Sequence, residues 1–334
     1  MKFNFKSIIV VAVIVLAAAC TNESSKMSPD LPLPKIGDKV SNLSNPKVDI
    51  LFVIDNSGSM STHQSNLAAN IDVFVDEIKN FGYLDYRIGV TTSTFYNHEN
   101  STPGYNGNLI GSPNYVDRQT RDGEEILKSR LKVGTSSPTN EIFLETVKEA
   151  LSPASMAGTN AGFYRQEAYL AIIFITDAED QGEVLAYDLH DYLVTLKNGM
   201  KSRVLSYGAI IPTNSSTNCP RDDDSTPVQL EKFIELTGGS YFDLCDPSYG
   251  AKLADMAKDL ARRVAGAIAL SRRPKPSTIE VNYGTQIIPQ SVTHGWVYAP
   301  ATNAIIFGPQ LVFDEEQPEG TRVEVKFEPV PIED

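Results

Sequence analysis

The chain has 334 residues, 41% of them hydrophobic, and a formal net charge of -13. That much apolar material fills one full core and a satellite, and the acidic balance argues against nucleic acid or an anionic membrane surface as the target. The four histidines, His63, His98, His190 and His294, are scattered without a ligand-spaced pair, so their spacing gives a zinc site little support.

Lys2 and Lys6 precede an apolar stretch from Ile8 to Leu16, followed by Ala17-Ala18-Ala19-Cys20. A basic start, a short apolar region and small residues before a cut make residues 1–19 a secretory signal, too short for a transmembrane helix. Cys20 after three alanines resembles a bacterial lipobox, with Ala17 where Leu is usual and Leu16 one place earlier. The resemblance implies that Cys20 is lipidated and becomes the new N-terminus; the plain alternative is a signal cut at the alanine run. Thr21 and Asn22 follow with no Asp directly after the Cys, which favours the outer membrane in Gram-negative-type bacteria, with its two faces both open. Residues 20–46, rich in Ser and Pro up to Pro46, read as a lipidated Cys and a semi-extended tether.

The apolar run Ile50-Leu51-Phe52-Val53-Ile54 then ends in Asp55-Asn56-Ser57-Gly58-Ser59-Met60. A buried strand thus delivers one carboxylate and two hydroxyls onto a turn, an oxygen-only set that suits a hard cation such as Mg²⁺. The Asp-x-Ser-x-Ser spacing lets the three side chains converge, with Gly58 expected to supply the freedom for the bend.

Helical periodicity over 62–81, through Leu67, Ile71, Phe74, Val75 and Ile78, is followed by a strand at 86–92. Between about 95 and 120 lies a long polar loop with a hairpin, either a binding rim or an ordinary surface excursion. Gly134 to Glu141 precedes a helix carrying Ile142, Phe143, Val147 and Leu151. A second apolar run, Leu170 to Ile175, ends in Thr176-Asp177-Ala178-Glu179-Asp180, where Glu179 and Asp180 read as a solvated acidic turn.

Further on come a helix over 183–198, a strand over 204–211, a short helix around 230–234, a strand at 240–242 and an amphipathic helix from Leu253 to Ile268. Apolar strands alternating with amphipathic helices predict an α/β fold with a doubly wound, mostly parallel sheet, whose ligands bind beyond the carboxyl ends of the strands. Cys219 and Cys245 are the natural disulfide pair of an exported protein. Arg272 to Pro276 reads as a linker, and period-two patterning after it, as in Val323, Val325 and Phe327, predicts a small antiparallel β module. The expected domains are therefore 47–270 and 277–330, the second too small to stand alone and packed on the first. Trp296 is expected to anchor its core.

Asp55-x-Ser57-x-Ser59 after the first strand, with Thr176-Asp177 ending a later one, resembles the von Willebrand factor type A family and its metal-ion-dependent adhesion site. The resemblance implies a vWA domain, Rossmann-like in architecture, with Asp177 as the second site carboxylate. It also implies a Thr from a loop before a helix: Thr139 stands best, with Thr135 and Ser137 as close rivals. Asp55, Ser57, Ser59, Thr139 and Asp177 would then hold Mg²⁺, or Mn²⁺ or Ca²⁺, with one position open for an acidic side chain of a protein partner.

The expected protein is thus a lipid-anchored binding protein of the bacterial envelope, held to the membrane through Cys20. One alternative is an assembly or scaffold protein with a structural metal. The other, an envelope enzyme, lacks a Gly-x-Ser-x-Gly elbow, a phosphate loop and a His-x-x-x-His pair, so no enzymatic activity is expected.

Overall fold

Runs of β-branched and aromatic residues bounded by turns build the strands that position the site. The computed structural model describes residues 39–44, 46–81, 83–94, 106–135, 141–221, 226–301, 303–308, 310–314, 316–318 and 321–331. The signal, Cys20, Ser137 and Thr139 lie outside the described residues. The first half runs β1 (Val40–Ser44), β2 (Lys47–Ile54), α1 (Ser61–Lys79), β3 (Asp85–Thr92), β4 (Val116–Asp117), α2 (Gly123–Leu131), α3 (Leu144–Ala150) and α4 (Pro153–Ala157). Then follow β5 (Tyr169–Thr176), α5 (Ala186–Leu196), β6 (Val204–Ile210), α6 (Val228–Leu236), β7 (Ser240–Asp243) and α7 (Tyr249–Ala265). The chain closes with β8 (Ala267–Ala269), β9 (Glu280–Tyr283), β10 (Gln286–Ile288), β11 (Trp296–Ala299), β12 (Ala304–Phe307) and β13 (Val323–Phe327).

Six strands form one sheet in the order β4-β3-β2-β5-β6-β7, parallel throughout except for the short edge strand β4. Alternation along β2 separates its two faces. Ile50, Phe52 and Ile54 pack in one core with Leu67, Ile71 and Phe74 of α1 and Leu253 and Leu260 of α7. Leu51 and Val53 pack in a second with Phe143, Val147, Leu189 and Phe233. A sheet covered on both faces explains why β2 and β5 read as unbroken apolar runs. The predicted doubly wound α/β fold is the observed one.

Two antiparallel sheets complete the chain, β1-β13-β9-β10 and β11-β12-β8. Two of their strands correct the sequence reading. Val40–Ser44, expected in the tether, pairs with β13 in the register Val40↔Phe327 to Ser44↔Val323. Ala267–Ala269, expected within the last helix, pairs with β12, because α7 stops at Ala265. The segment expected as a linker is sheet-bound: Pro274 bridges Pro329, and the Lys275 amide donates to the Glu328 carbonyl at 2.7 Å. Trp296 is 4% exposed, and its Nε1 donates to the Ile288 carbonyl at 2.9 Å, as a core anchor should.

An aromatic joint fastens these sheets to the larger one. The Tyr83 ring lies 4.6 Å from Phe313, 6.0 Å from Phe307 and 6.2 Å from Tyr283, and its hydroxyl donates to the Ala265 carbonyl at 2.7 Å. Burial holds the Tyr83 hydroxyl protonated, well above the ordinary tyrosine range.

Cys219 and Cys245 are bridged with their Cα atoms 5.7 Å apart, across a sequence separation of 26. Loop closure of that length is worth about 3 kcal/mol. The paired substitution Cys219→Ser with Cys245→Ser is expected to lower the denaturant midpoint accordingly; equal midpoints for the two proteins would count against the bridge as a stabiliser.

At the amino ends of the strands, opposite Asp55, lies a buried ion cluster. Arg165 Nε meets Asp49 Oδ1 at 2.8 Å, its backbone amide donates to Asp49 Oδ2 at 2.6 Å, and Nη1 meets Asp85 Oδ1 at 2.6 Å. Lys197, fully buried, donates to the Arg165 carbonyl at 2.8 Å and stands 4.1 Å from the centre of the Tyr164 ring. Burial pushes the Asp49 carboxyl up to about 6 against the pull of Arg165, and brings the Lys197 ammonium down to about 8 against the pull of Asp49.

Candidate metal site

β2 and β5 are hydrogen-bonded neighbours with Ile54 paired to Ile175, so Asp55 and Asp177 emerge side by side at the carboxyl end of the sheet. The Asp55 amide still donates to the Ile175 carbonyl at 3.0 Å, which carries the ladder into the turn. Both carboxylates are buried, Asp55 at 0% and Asp177 at 2% exposure. Asp55 Oδ1 accepts the Ser57 amide at 2.7 Å, and Asp55 Oδ2 accepts the Thr176 hydroxyl at 2.7 Å. Both oxygens are thus held by local donors, which fixes the orientation of the carboxylate at the strand end. The Ser57 and Ser59 hydroxyls lie 3.0 Å apart, so two of the expected ligands converge as their spacing predicts.

The bend is made differently from the expectation. Gly58 opens a short 3-10 turn, Gly58–Met60, without a left-handed φ, and a Cβ there would meet nothing within 4 Å. Open space over Gly58 and an exposed Ser59 make this the side from which the corner is reached.

Side chains that the motif does not contain hold the corner in place. Gln64 of α1, 3% exposed, donates through Nε2 to the Asp55 carbonyl at 2.9 Å and the Gly134 carbonyl at 2.8 Å, and its Oε1 accepts the Gly134 amide at 3.2 Å. Gly134 takes φ +89, open to glycine at little cost. This clamp fixes Gly134, the residue before Thr135. Asn56 Oδ1 accepts the Thr94 hydroxyl at 2.7 Å, which ties the turn to the end of β3. Gln64→Leu keeps roughly the shape and removes these three hydrogen bonds; each buried donor or acceptor left unmade costs about 1–3 kcal/mol. A clear fall in thermal stability is the expected result, and an unchanged melting temperature would dismiss the clamp.

Glu179 and Asp180 depart from the solvated turn expected of them. Asp180 is 7% exposed, and its Oδ1 accepts the Phe143 and Leu144 amides at 2.6 and 3.2 Å, at the start of α3. Burial pushes its carboxyl up to about 7, helped by the charge of Glu145 and opposed by the Phe143 amide. Glu179 accepts the Asp180 amide at 2.7 Å and the Gln229 amide, at the start of α6, at 3.2 Å. Its carboxyl is also raised, by burial first. Glu145 accepts the Val184 amide at 2.6 Å from the other side, and its carboxylate lies close over Gly182, where a Cβ would stand 1.9 Å from Glu145 Oε2 and displace it. The loop after β5 is therefore pinned by three carboxylates to two helix starts, a placement the helix dipoles favour.

The structure thus sets Asp55 and Asp177 at adjacent strand ends and brings the Ser57 and Ser59 hydroxyls together, with Thr176 bonded to Asp55. Thr135 stands beside the Gln64 clamp. The donor set at the corner is oxygen only, two carboxylates with hydroxyls, and fits a hard divalent cation.

No protein-family model and no curated protein matches the chain. Among solved structures, it is similar to the pilus adhesin SpaC from Lactobacillus rhamnosus GG in its open conformation, at 13% identity and a TM-score of 0.40, over 86% of this chain and 40% of that one. It is also similar to proximal thread matrix protein 1 from the mussel byssus with a zinc occupied MIDAS motif, at 13% identity and a TM-score of 0.40, over 67% of this chain and 48% of that one. The chain therefore spans less than half the length of either.

Proposed function

We propose that the protein is a lipid-anchored, vWA-type binding protein of the bacterial envelope, attached to the outer membrane, that captures a protein partner through a divalent cation and has no enzymatic activity. The supporting observation is the pairing of two buried carboxylates, Asp55 and Asp177, at adjacent strand ends beside two converging serine hydroxyls. Asp55, Ser57, Ser59 and Asp177, with Thr139 or its rivals Thr135 and Ser137, would hold Mg²⁺, Mn²⁺ or Ca²⁺. When bound, the cation supplies a Lewis-acidic position at which an acidic side chain of the partner completes the ligand set.

The chain's own residues prepare that position. Thr176 and the Ser57 amide orient Asp55, Gln64 sets the distance between the two loops, and the carboxylates of Glu179, Asp180 and Glu145 keep the Asp177 loop from drifting. A site built this way loses little conformational entropy when it closes on a ligand. Cys20 supplies the membrane attachment in this reading.

An affinity capture from envelope extract, run with Mg²⁺ and again with chelator, tests it. A partner retained with Mg²⁺, released by chelator and lost in Asp177→Ala is the expected result; identical capture with chelator would overturn the metal-dependent reading. In the same extracts Cys20→Ser should leave the membrane fraction, and persistence there after salt washing would overturn the anchor.

A further inference from the structure

His63, on the first turn of α1, reaches the disulfide. Among the described residues, the ligand atoms of His63, Cys219 and Cys245 form the one group of three from His, Cys, Asp or Glu that lie within 4.8 Å of one another. His63 Nδ1 is buried and makes no hydrogen bond, although a buried ring nitrogen ordinarily finds a partner. Asp243 lies close enough to act on the ring electrostatically, while its own carboxylate is oriented by Thr217 Oγ1 at 2.9 Å and the Cys245 amide at 2.9 Å.

We infer that this cluster is a second, soft-metal site, which binds Zn²⁺ through His63, Cys219 and Cys245 when the disulfide is reduced. The three donors come from three separate places, the start of α1, the segment after β6 and the turn after β7, so sequence spacing hides them. Tetrahedral Zn²⁺ with Zn–S near 2.3 Å requires the two sulfurs to stand about 3.8 Å apart. Cα atoms 5.7 Å apart allow that by side-chain rotation alone once the S–S bond opens. Two thiolates and one imidazole leave a fourth position for water or an exogenous ligand.

The chemistry balances with a dithiol reductant. One of its thiolates attacks a cystine sulfur, the mixed disulfide is resolved by its second thiol, and the products are the Cys219 and Cys245 thiols and the reductant's own disulfide. Zn²⁺ then binds both sulfurs and displaces two protons to solvent, so uptake weakens as pH falls. The site is independent of Asp55 and Asp177, and its failure would leave their reading intact.

The test uses the folded exported chain carrying Asp55→Ala, so that cation uptake at the strand-end corner does not contribute. Zn²⁺ is titrated against a chromophoric chelator before and after reduction with a phosphine, and Co²⁺ is used as a spectroscopic probe of thiolate ligation. The reduced protein should take up one equivalent that the oxidised protein does not, show thiolate-to-Co²⁺ charge transfer, and gain melting temperature with Zn²⁺. His63→Gln should weaken that uptake by at least about tenfold, since even second-shell partners carry that much. Equal uptake before and after reduction, no rise in melting temperature on adding Zn²⁺ to the reduced protein, or full affinity in His63→Gln would each overturn the inference.

Discussion

Arg165→Met is expected to destabilise the protein by about 3–5 kcal/mol, the range for removing one partner of a buried ion pair. Asp49 is 0% exposed and takes two of its hydrogen bonds from Arg165, one from the guanidinium and one from the backbone amide. Without the guanidinium its charge is stranded. The pH dependence identifies the cause. In the unmodified protein the Asp49 carboxyl already sits at about 6, above its ordinary 3.8, so the folded state binds this proton more readily than the unfolded one. Its contribution to stability is therefore complete below the unfolded value and is lost as pH rises through about 6. In Arg165→Met the carboxyl moves higher still, so the loss extends toward neutral pH. Denaturant midpoints should differ least near pH 5 and most near pH 8, with Asp49→Asn recovering part of the difference at pH 8 when added to Arg165→Met. A pH-independent deficit would point to lost packing instead.

The second large effect concerns Asp55. Two buried carboxylates at neighbouring strand ends repel each other, and a divalent cation removes that repulsion. Because a cation bound only to the folded state adds stability by mass action, saturating Mg²⁺ or Mn²⁺ at 100 times the dissociation constant should add about 2.7 kcal/mol. Asp55→Ala should lose the gain entirely, along with metal-dependent partner capture. It also removes the acceptor of the Ser57 amide and the Thr176 hydroxyl, so its baseline stability should fall. Asp55→Asn, whose amide oxygen still accepts one of these bonds, separates the two consequences: a nearly normal baseline with no metal gain. A metal response that survives in Asp55→Asn and Asp55→Ala alike would place the cation elsewhere.

What could be read in advance follows from how local each signal is. The strands of the parallel sheet announce themselves because each is buried on both faces, and Asp55-x-Ser57-x-Ser59 is contiguous. The supports of the site are not. Asp180 caps a helix start 36 and 37 residues away, and Gln64 reaches a carbonyl at a separation of 70; neither acid nor amide differs in sequence from a solvated one. A Gln one turn into the helix that follows the motif was the available hint. β1 was missed for a related reason: Val-Ser-Asn-Leu-Ser has little apolar content of its own, and only the distant β13 makes it a strand. β8 was absorbed into α7 because Ile268 continues the helical stripe past Gly266, whose amide closes the helix on the Arg262 carbonyl at 2.7 Å.

The β1–β13 ladder also sets a schedule for folding. Ser41 and Glu324 meet across 283 positions, so the first of the described strands to leave the ribosome waits for almost the last. Closing so long a loop is slow relative to local pairing. The parallel sheet, whose strands all lie between residues 47 and 243, has its full complement well before Val323 emerges. During that interval β9 lacks the neighbour that later joins it to β1, and exposes an unpaired edge of the kind that seeds association between chains. Chaperone demand during synthesis should therefore concentrate on β1 and on the strands around β9 and β13, with the parallel sheet already formed between them.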